Sequence, residues 1–238
     1  MGDNVKIERW ARWYRCGLCE QGHHGLVYCA LGWACWKTYL SRPEMDMYKD
    51  CAYTALADGL SNVDEAFKLQ VLEAQFAAAK RTGFPPEHMF SNRHNTATCY
   101  SKLGRHEDAL QIYRECYDSE KALTGLTETV LTTASCVASN FLDTKNFKSA
   151  RSFAYDHIDD SQRILGKNHR ITLILRETYA NAITLDAQSS LKQLAEAVEV
   201  LGRLARMRQQ VFGAHHPCTI RVQKTLERAQ ETLASRQK

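Results

Sequence analysis

The sequence predicts an all-α fold: a right-handed solenoid of about four helical hairpins that follows a short segment rich in cysteine and tryptophan. The first observation is a repeat in which an alanine precedes a glycine by sixteen residues, at Ala109/Gly125, Ala150/Gly166 and Ala197/Gly213. Successive alanines are 41 and 47 residues apart, a period typical of stacked helical hairpins. The second observation is that only four prolines and twelve glycines occur in 238 residues, which permits long helices.

The second hairpin shows how each element is predicted. Its first helix is expected at about residues 90–103, with Ala97 as the small residue where two helices approach. Its second helix begins after a turn at Gly104, and Ala109 lies at the close helix contact. Gly125 then ends the second helix, as a C-terminal cap does.

The other hairpins vary this pattern. The first has a shortened turn at Ser61 and Asn62, and the third carries Lys145 where the second has its turn glycine. The fourth has six extra residues, 186–191, between its helices. A last helix from about Pro217 closes the array. Terminal units, such as the first hairpin with its shortened turn, are commonly atypical because they have only one neighbour.

These hairpins resemble the tetratricopeptide repeat, and the period above 40 resembles the longer version found in kinesin light chains. In that family the glycine that ends one hairpin is followed by x-x-His and then by a Thr that opens the next. Residues 166–172 and 213–219 fit this pattern, with His169 and His216 at the histidine position. We expect these histidines, and His106, to cap helices rather than to catalyse. The resemblance covers residues 43–238 and implies antiparallel helix pairs whose first helices line a concave groove.

That groove is the predicted functional site. Its expected polar residues are His94, Asn95, Thr98 and Ser101 in the second hairpin, Ser135 and Ser139 in the third, and Arg176 in the fourth. The predicted function is a scaffold without enzymatic activity that binds a protein or peptide in the groove. The groove lacks the paired Lys and Asn residues by which some tetratricopeptide domains hold a C-terminal carboxylate, which disfavours a ligand of that kind.

The N-terminal segment, residues 1–42, contains all four tryptophans and a group of cysteines. A Trp-rich run that leads into Cys-x-Leu-Cys resembles the closing part of a RING-CH zinc finger, the variant RING of certain ubiquitin ligases. That family uses eight zinc ligands, of which Cys16 and Cys19 would be the last two. Residues 1–15 contain no cysteine or histidine. The resemblance therefore implies, as an alternative function, a component of a ubiquitin ligase whose finger lacks its first half.

A second interpretation of this segment needs no missing residues. Cys16, Cys19, His24 and Cys29 have the spacing of a zinc knuckle, which binds one zinc ion and often contacts single-stranded nucleic acid. Zinc is thus the one candidate cofactor, and an RNA-binding adaptor is a second alternative function. Residues 27–39 also read as an apolar helix, in which case the cysteines would form a reduced, packed cluster on its buried face.

Composition and charge narrow the classes of function and location that remain possible. The 31 basic residues barely exceed the 27 acidic ones, which does not by itself indicate nucleic acid. No Ser/His/Asp set, Gly-rich phosphate loop or His-Glu-x-x-His pattern is found, so no catalytic residue is predicted. Residues 1–6 contain no apolar run, no window is apolar enough to cross a bilayer, and the nine cysteines are expected to be reduced. We therefore expect a cytoplasmic or nuclear protein with no membrane partner.

Overall fold

The computed structural model describes residues 10–237. Helices whose two ends both lie in this range are α1 Gly25–Tyr39, α2 Met47–Leu60, α3 Glu65–Thr82, α4 Pro86–Lys102, α5 His106–Thr124, α6 Glu128–Asp143, α7 Phe147–Leu165, α8 Arg170–Leu185, α9 Leu191–Phe212 and α10 Pro217–Gln237. The chain divides into two compact units, Met1–Ile112 and Tyr113–Lys238. The predicted all-α class is confirmed.

The turns predicted from glycine have the expected left-handed backbone. Gly104 lies between α4 and α5 with φ 76°, and Gly125 follows α5 with φ 69°. Lys145, which replaces the turn glycine of the third hairpin, has φ 59° and so adopts the same conformation at the equivalent position. The repeated turn is therefore present although its glycine is not. The alanines predicted at close helix contacts are fully buried, at positions Ala97, Ala109, Ala138, Ala150 and Ala197.

Three predicted boundaries are wrong by a few residues. Helix α4 begins at Pro86 rather than near residue 90, since proline suits the first helical position. The turn of the first hairpin is four residues long (61–64), one more than between α4 and α5, because Asp64 caps α3 by accepting from the Phe67 amide. The connection from α8 to α9 is five residues long (186–190), because Ser190 and Gln193 form a capping box that starts α9 at Leu191.

In the first unit, α1 and α2 cross with their backbones in contact. A Cβ atom added to Gly32 of α1 would lie 2.8 Å from the carbonyl oxygen of Ala55, and one added to Gly59 of α2 would lie 2.8 Å from that of Tyr28. The contact is reciprocal, since each glycine faces the other helix's main chain. Cys35 is fully buried beside this crossing. Small residues at the crossing thus set the helix separation.

In the second unit, the first helices of successive hairpins lie side by side: α6 contacts α8, and α8 contacts α10. Helix α7 packs against α6 and α8, and α9 packs against α8 and α10. Their apolar faces form two core clusters, one around Leu131 and Leu175 and the other around Leu194, Leu201 and Val222. This is the alternation of first and second helices that the hairpin repeat predicts.

A buried polar chain joins α5 and α7 in the second unit. The Nδ1 atom of His157 lies 2.7 Å from the carbonyl oxygen of Phe153, and its Nε2 atom lies 2.6 Å from the Tyr117 hydroxyl. Lys121 donates to the same hydroxyl at 2.9 Å. Because a carbonyl only accepts, Nδ1 carries the proton and Tyr117 donates to Nε2.

Candidate functional site

The four predicted zinc ligands are not assembled into a site. The amides of Leu18 and Cys19 and the Cys19 thiol donate to the Cys16 sulfur and hold its pKa below the usual value. Cys29 lies on α1, packed against the apolar cluster around Leu56 and Leu60. His24 is exposed immediately before α1. Within residues 10–237, no group of three or more His, Cys, Asp or Glu side chains could hold a metal ion. The structure gives zinc binding no support, and it stays a prediction.

The alternative of a packed cysteine cluster fits part of this segment. Helix α1 covers the predicted apolar helix, and Cys35 is its fully buried cysteine. Burial raises the pKa of the Cys35 thiol to about 12. Trp36 is half-buried with its ring 4.3 Å from that of Tyr53, whereas Trp33 is exposed and stacks on Phe67. In the repeats, Cys99 and Cys116 are buried, and Cys136 is half-buried.

The predicted groove residues of the first unit lie on one side of α4. His94, Asn95, Thr98 and Ser101 are all half-buried, whereas Ala97 and Cys99 are buried. The Thr98 hydroxyl donates to the carbonyl oxygen of His94 at 3.0 Å. Burial lowers the pKa of His94 from the ordinary 6.5, so its imidazole is held in the neutral form at neutral pH.

The predicted groove residues of the third hairpin lie on α6. Ser139 is half-buried and donates to the carbonyl oxygen of Ser135 at 2.9 Å. Ser135 is 4% exposed, and its hydroxyl donates to the carbonyl oxygen of Thr132 at 2.7 Å. Thr132, Cys136 and Ser139 form the half-buried line on this otherwise buried helix. Their spacing of four and three residues keeps them on one face.

Arg176, the predicted groove residue of the fourth hairpin, lies on α8 and lines a cleft of about 620 Å³. The other walls of this cleft are α7 and α9, the second helices of the third and fourth hairpins. Counted from the buried alanines Ala138 and Ala180, the positions equivalent to Ser135 and Ser139 are Glu177 and Asn181. Arg176 directly precedes Glu177 in the sequence, and its predicted place in the groove of the first helices stays a prediction.

Glu177 is the centre of a buried ionic cluster that sequence analysis missed. Its carboxylate lies 2.6 Å from Nη2 of Arg208 on α9 and 3.3 Å from Nε of Arg221 on α10. Arg208 also donates to the carbonyl oxygen of Cys218 at 3.2 Å. The side chains of Glu177 and Arg208 are only 8% and 7% exposed, so the pair is shielded from water. The cluster ties α8, α9 and α10 together.

The predicted histidine caps are present. Nδ1 of His169 accepts from the amide of Ile171 at 3.3 Å, and Nδ1 of His216 accepts from the amide of Cys218 at 3.2 Å. His106 is the first residue of α5. The caps at His169 and His216 are those that the x-x-His pattern predicts, whereas a capping role of His106 stays a prediction. Across residues 10–237, no helix is long and apolar enough to cross a membrane.

Comparisons with known proteins support the repeat. A family model described as tetratricopeptide repeat matches residues 187–217. Among solved structures, a putative kinesin light chain with nearly identical TPR-like repeats from Podosopora anserina is 20% identical, with a TM-score of 0.61 over 79% of this chain and 88% of that one. A substituted form of the same protein gives 20% identity and a TM-score of 0.61 over 79% and 87%. BtubC (BKLC) from P. vanneervenii is 13% identical, with a TM-score of 0.55 over 90% and 93%. No curated protein matches.

These similarities show the fold. The predicted repeat fold of tetratricopeptide-like hairpins is confirmed, because the matched structures extend over most of this chain. A fold of this class supports a protein-interaction scaffold in general. The comparisons include no RING-CH finger and no RNA-binding knuckle, so both alternative functions are without support.

Proposed function

We propose that this chain is a scaffold without turnover that binds a segment of another protein on the face formed by its first helices. The observation that supports the proposal is the contact of α6 with α8 and of α8 with α10 in the second unit. Helices packed side by side hold their side chains in fixed positions. Little binding free energy is therefore spent on ordering this protein when a partner binds. The side chains of Thr132 and Ser139 on this face are small and half-buried.

The proposed contacts are mainly hydrogen bonds to a partner's backbone. The hydroxyls of Thr132 and Ser139 each donate to a helix carbonyl, at 2.9 Å in both cases, which leaves their oxygen lone pairs to accept. In the first unit, His94, Asn95, Thr98 and Ser101 on α4 are the proposed equivalent positions. Backbone amides of an extended segment are donors of the required kind.

The test is a steric block at Ser139. Replacement by tyrosine fills the face without removing a core side chain, whereas Ser139→Ala keeps the face open. The matched control is Lys192→Tyr, since Lys192 is exposed on α9. We expect Ser139→Tyr to lose the proteins that the wild-type chain retains. Ser139→Ala should retain a smaller amount of them, because it removes one accepting hydroxyl, and Lys192→Tyr should retain as much as the wild type. Equal recovery by all variants of unchanged helicity would refute the proposal.

A further inference from the structure

The cleft between α7 and α9 combines apolar and charged walls. Ile158 of α7 and Val200, Leu204 and Met207 of α9 supply its apolar lining. Its volume of about 620 Å³ is within the range of ordinary ligand sites. Helix α9 follows α8 after five residues, against three between α6 and α7, so the fourth hairpin does not repeat the spacing of the third. The cleft lies between the second helices α7 and α9, and Arg176 and Tyr179 of α8 complete its lining.

A guanidinium at the edge of this cleft is oriented by neutral groups. Arg176 donates through Nη2 to Oε1 of Gln162 at 2.5 Å and through Nη1 to the carbonyl oxygen of Lys167 at 3.4 Å. A guanidinium carries five N–H donors in a fixed plane, so these two contacts orient it and leave other donors for a ligand. Both acceptors are uncharged, so the positive charge of Arg176 is complementary to a carboxylate.

The aromatic wall of the cleft is also held in place. The Tyr179 hydroxyl donates to Oε1 of Glu196 at 3.1 Å, and its ring centroid lies 5.7 Å from that of Tyr155. Burial and the nearby Glu196 raise the pKa of Tyr179 to about 12, so the phenol stays a donor at neutral pH. Tyr155 is 62% exposed, which leaves one aromatic face open at the mouth of the cleft. Glu196 is thus already engaged, while Asp159 is the second carboxylate of the lining.

We infer that this cleft is a second binding site, which takes a peptide segment carrying an aliphatic side chain next to a carboxylate. The aliphatic side chain packs against Val200 and Met207, with Tyr155 over it. The carboxylate accepts from the free N–H groups of Arg176, with Lys167 adding positive charge at the rim, whereas Arg203 is already paired with Glu199.

The experiment uses the full chain and two fluorescent peptides that differ only in charge. The first is acetyl-Ser-Leu-Glu-Leu-Glu-Ser-amide, and the second has glutamine in place of glutamate. We expect the first peptide to bind about tenfold more tightly to the wild type, and both to bind equally to Arg176→Gln. Arg163→Gln is the matched control, because Arg163 is exposed on α7 and pairs with Asp160 outside the cleft. It should keep the tenfold difference.

The apolar contact is tested in the same assay. Tyr155→Ser should weaken both peptides, whereas Val211→Ser, which changes an equally exposed apolar residue of α9, should not. Ser139→Tyr should leave the peptide affinity unchanged, which separates this site from the face of the first helices. No saturable binding up to about 1 mM, or equal affinity of the two peptides for the wild type, would overturn the inference. Concentration-dependent self-association that Tyr155→Ser abolishes would also overturn it, by assigning the cleft to a second copy.

Discussion

The crossing of α1 and α2 permits a quantitative test, because each helix has a glycine against the other's main chain. In Gly32→Ala, the new Cβ would lie 2.8 Å from the oxygen of Ala55 and 3.1 Å from Cα of Leu56. Ordinary contact begins at 3.4 Å, so the helices must separate by about 0.6 Å at this point. The obstructing atoms are backbone atoms, which cannot rotate away as a side chain can. Alanine at Gly32 therefore forces the two helices apart.

The expected cost follows from two opposing contributions. Overpacking a tight contact costs typically 1–3 kcal/mol, and we take about 3 because backbone obstructs. Alanine in a helix interior is favoured over glycine by about 1 kcal/mol. Gly32→Ala should therefore reduce the free energy of unfolding by about 2 kcal/mol. Gly59→Ala should cost a similar amount, and the double variant should cost less than the sum, because one separation of the helices relieves both contacts.

All four tryptophans lie in residues 10–36, so fluorescence during urea unfolding reports on the part of the first unit that contains α1. With a urea slope of about 2 kcal/mol per molar, the midpoint should fall by about 1 M. Gly202→Ala on α9 is the matched control, since its Cβ would meet only Nη1 of Arg206 at 3.7 Å. Followed by circular dichroism, that variant should gain up to about 1 kcal/mol. A Gly32→Ala midpoint at or above that of the wild type would refute the close approach.

Further outcomes are expected at other positions. Lys145→Gly should stabilise by about 1 kcal/mol in urea unfolding, because φ 59° disfavours a side chain, while Asn62→Gly at φ 61° should change little since asparagine tolerates this conformation. Arg208→Ala should cost about 3 kcal/mol by leaving Glu177 buried beside only the exposed Arg221, whereas Arg203→Ala on the exposed pair with Glu199 should cost under about 1 kcal/mol. Because the folded-state pKa of His94 lies below 6.5, the unfolded chain takes up a proton first as pH falls, so stability should drop below pH 6.5. His94→Gln should show a smaller drop between pH 7.5 and 5.5, and identical profiles would contradict the assignment.

Much of the fold was predictable because its signals are local. Glycine tolerates positive φ, so Gly125 and Gly213 mark helix ends without reference to tertiary structure. The histidine caps of α8 and α10 depend on an amide two residues away and are likewise local. The predicted start of α4 near residue 90 was four residues too late. The local signal for the true start is Pro86 itself, since proline suits the first helical position.

The site was less predictable because it depends on which helices are neighbours. Arg176 lines a cleft with residues of α7 and α9, and the sequence alone does not show that these helices are its neighbours. The reciprocal glycines are invisible without the pairing of α1 with α2, since glycine inside a helix otherwise only weakens it. The knuckle spacing stays a prediction, and it gives no sign that Cys29 lies in a helix that packs against α2.

The buried chain of Lys121, Tyr117 and His157 has a direction. Lys121 can only donate, and the carbonyl of Phe153 can only accept, so every proton between them is oriented the same way. The imidazole is therefore confined to a single tautomer, with hydrogen on Nδ1. With a neutral imidazole, reversing either hydrogen bond of His157 would set two donors or two acceptors against each other among buried groups, since Tyr117 and His157 are both buried. The direction of these hydrogen bonds, in addition to the packing of the side chains, therefore restricts how α5 and α7 are rotated relative to each other.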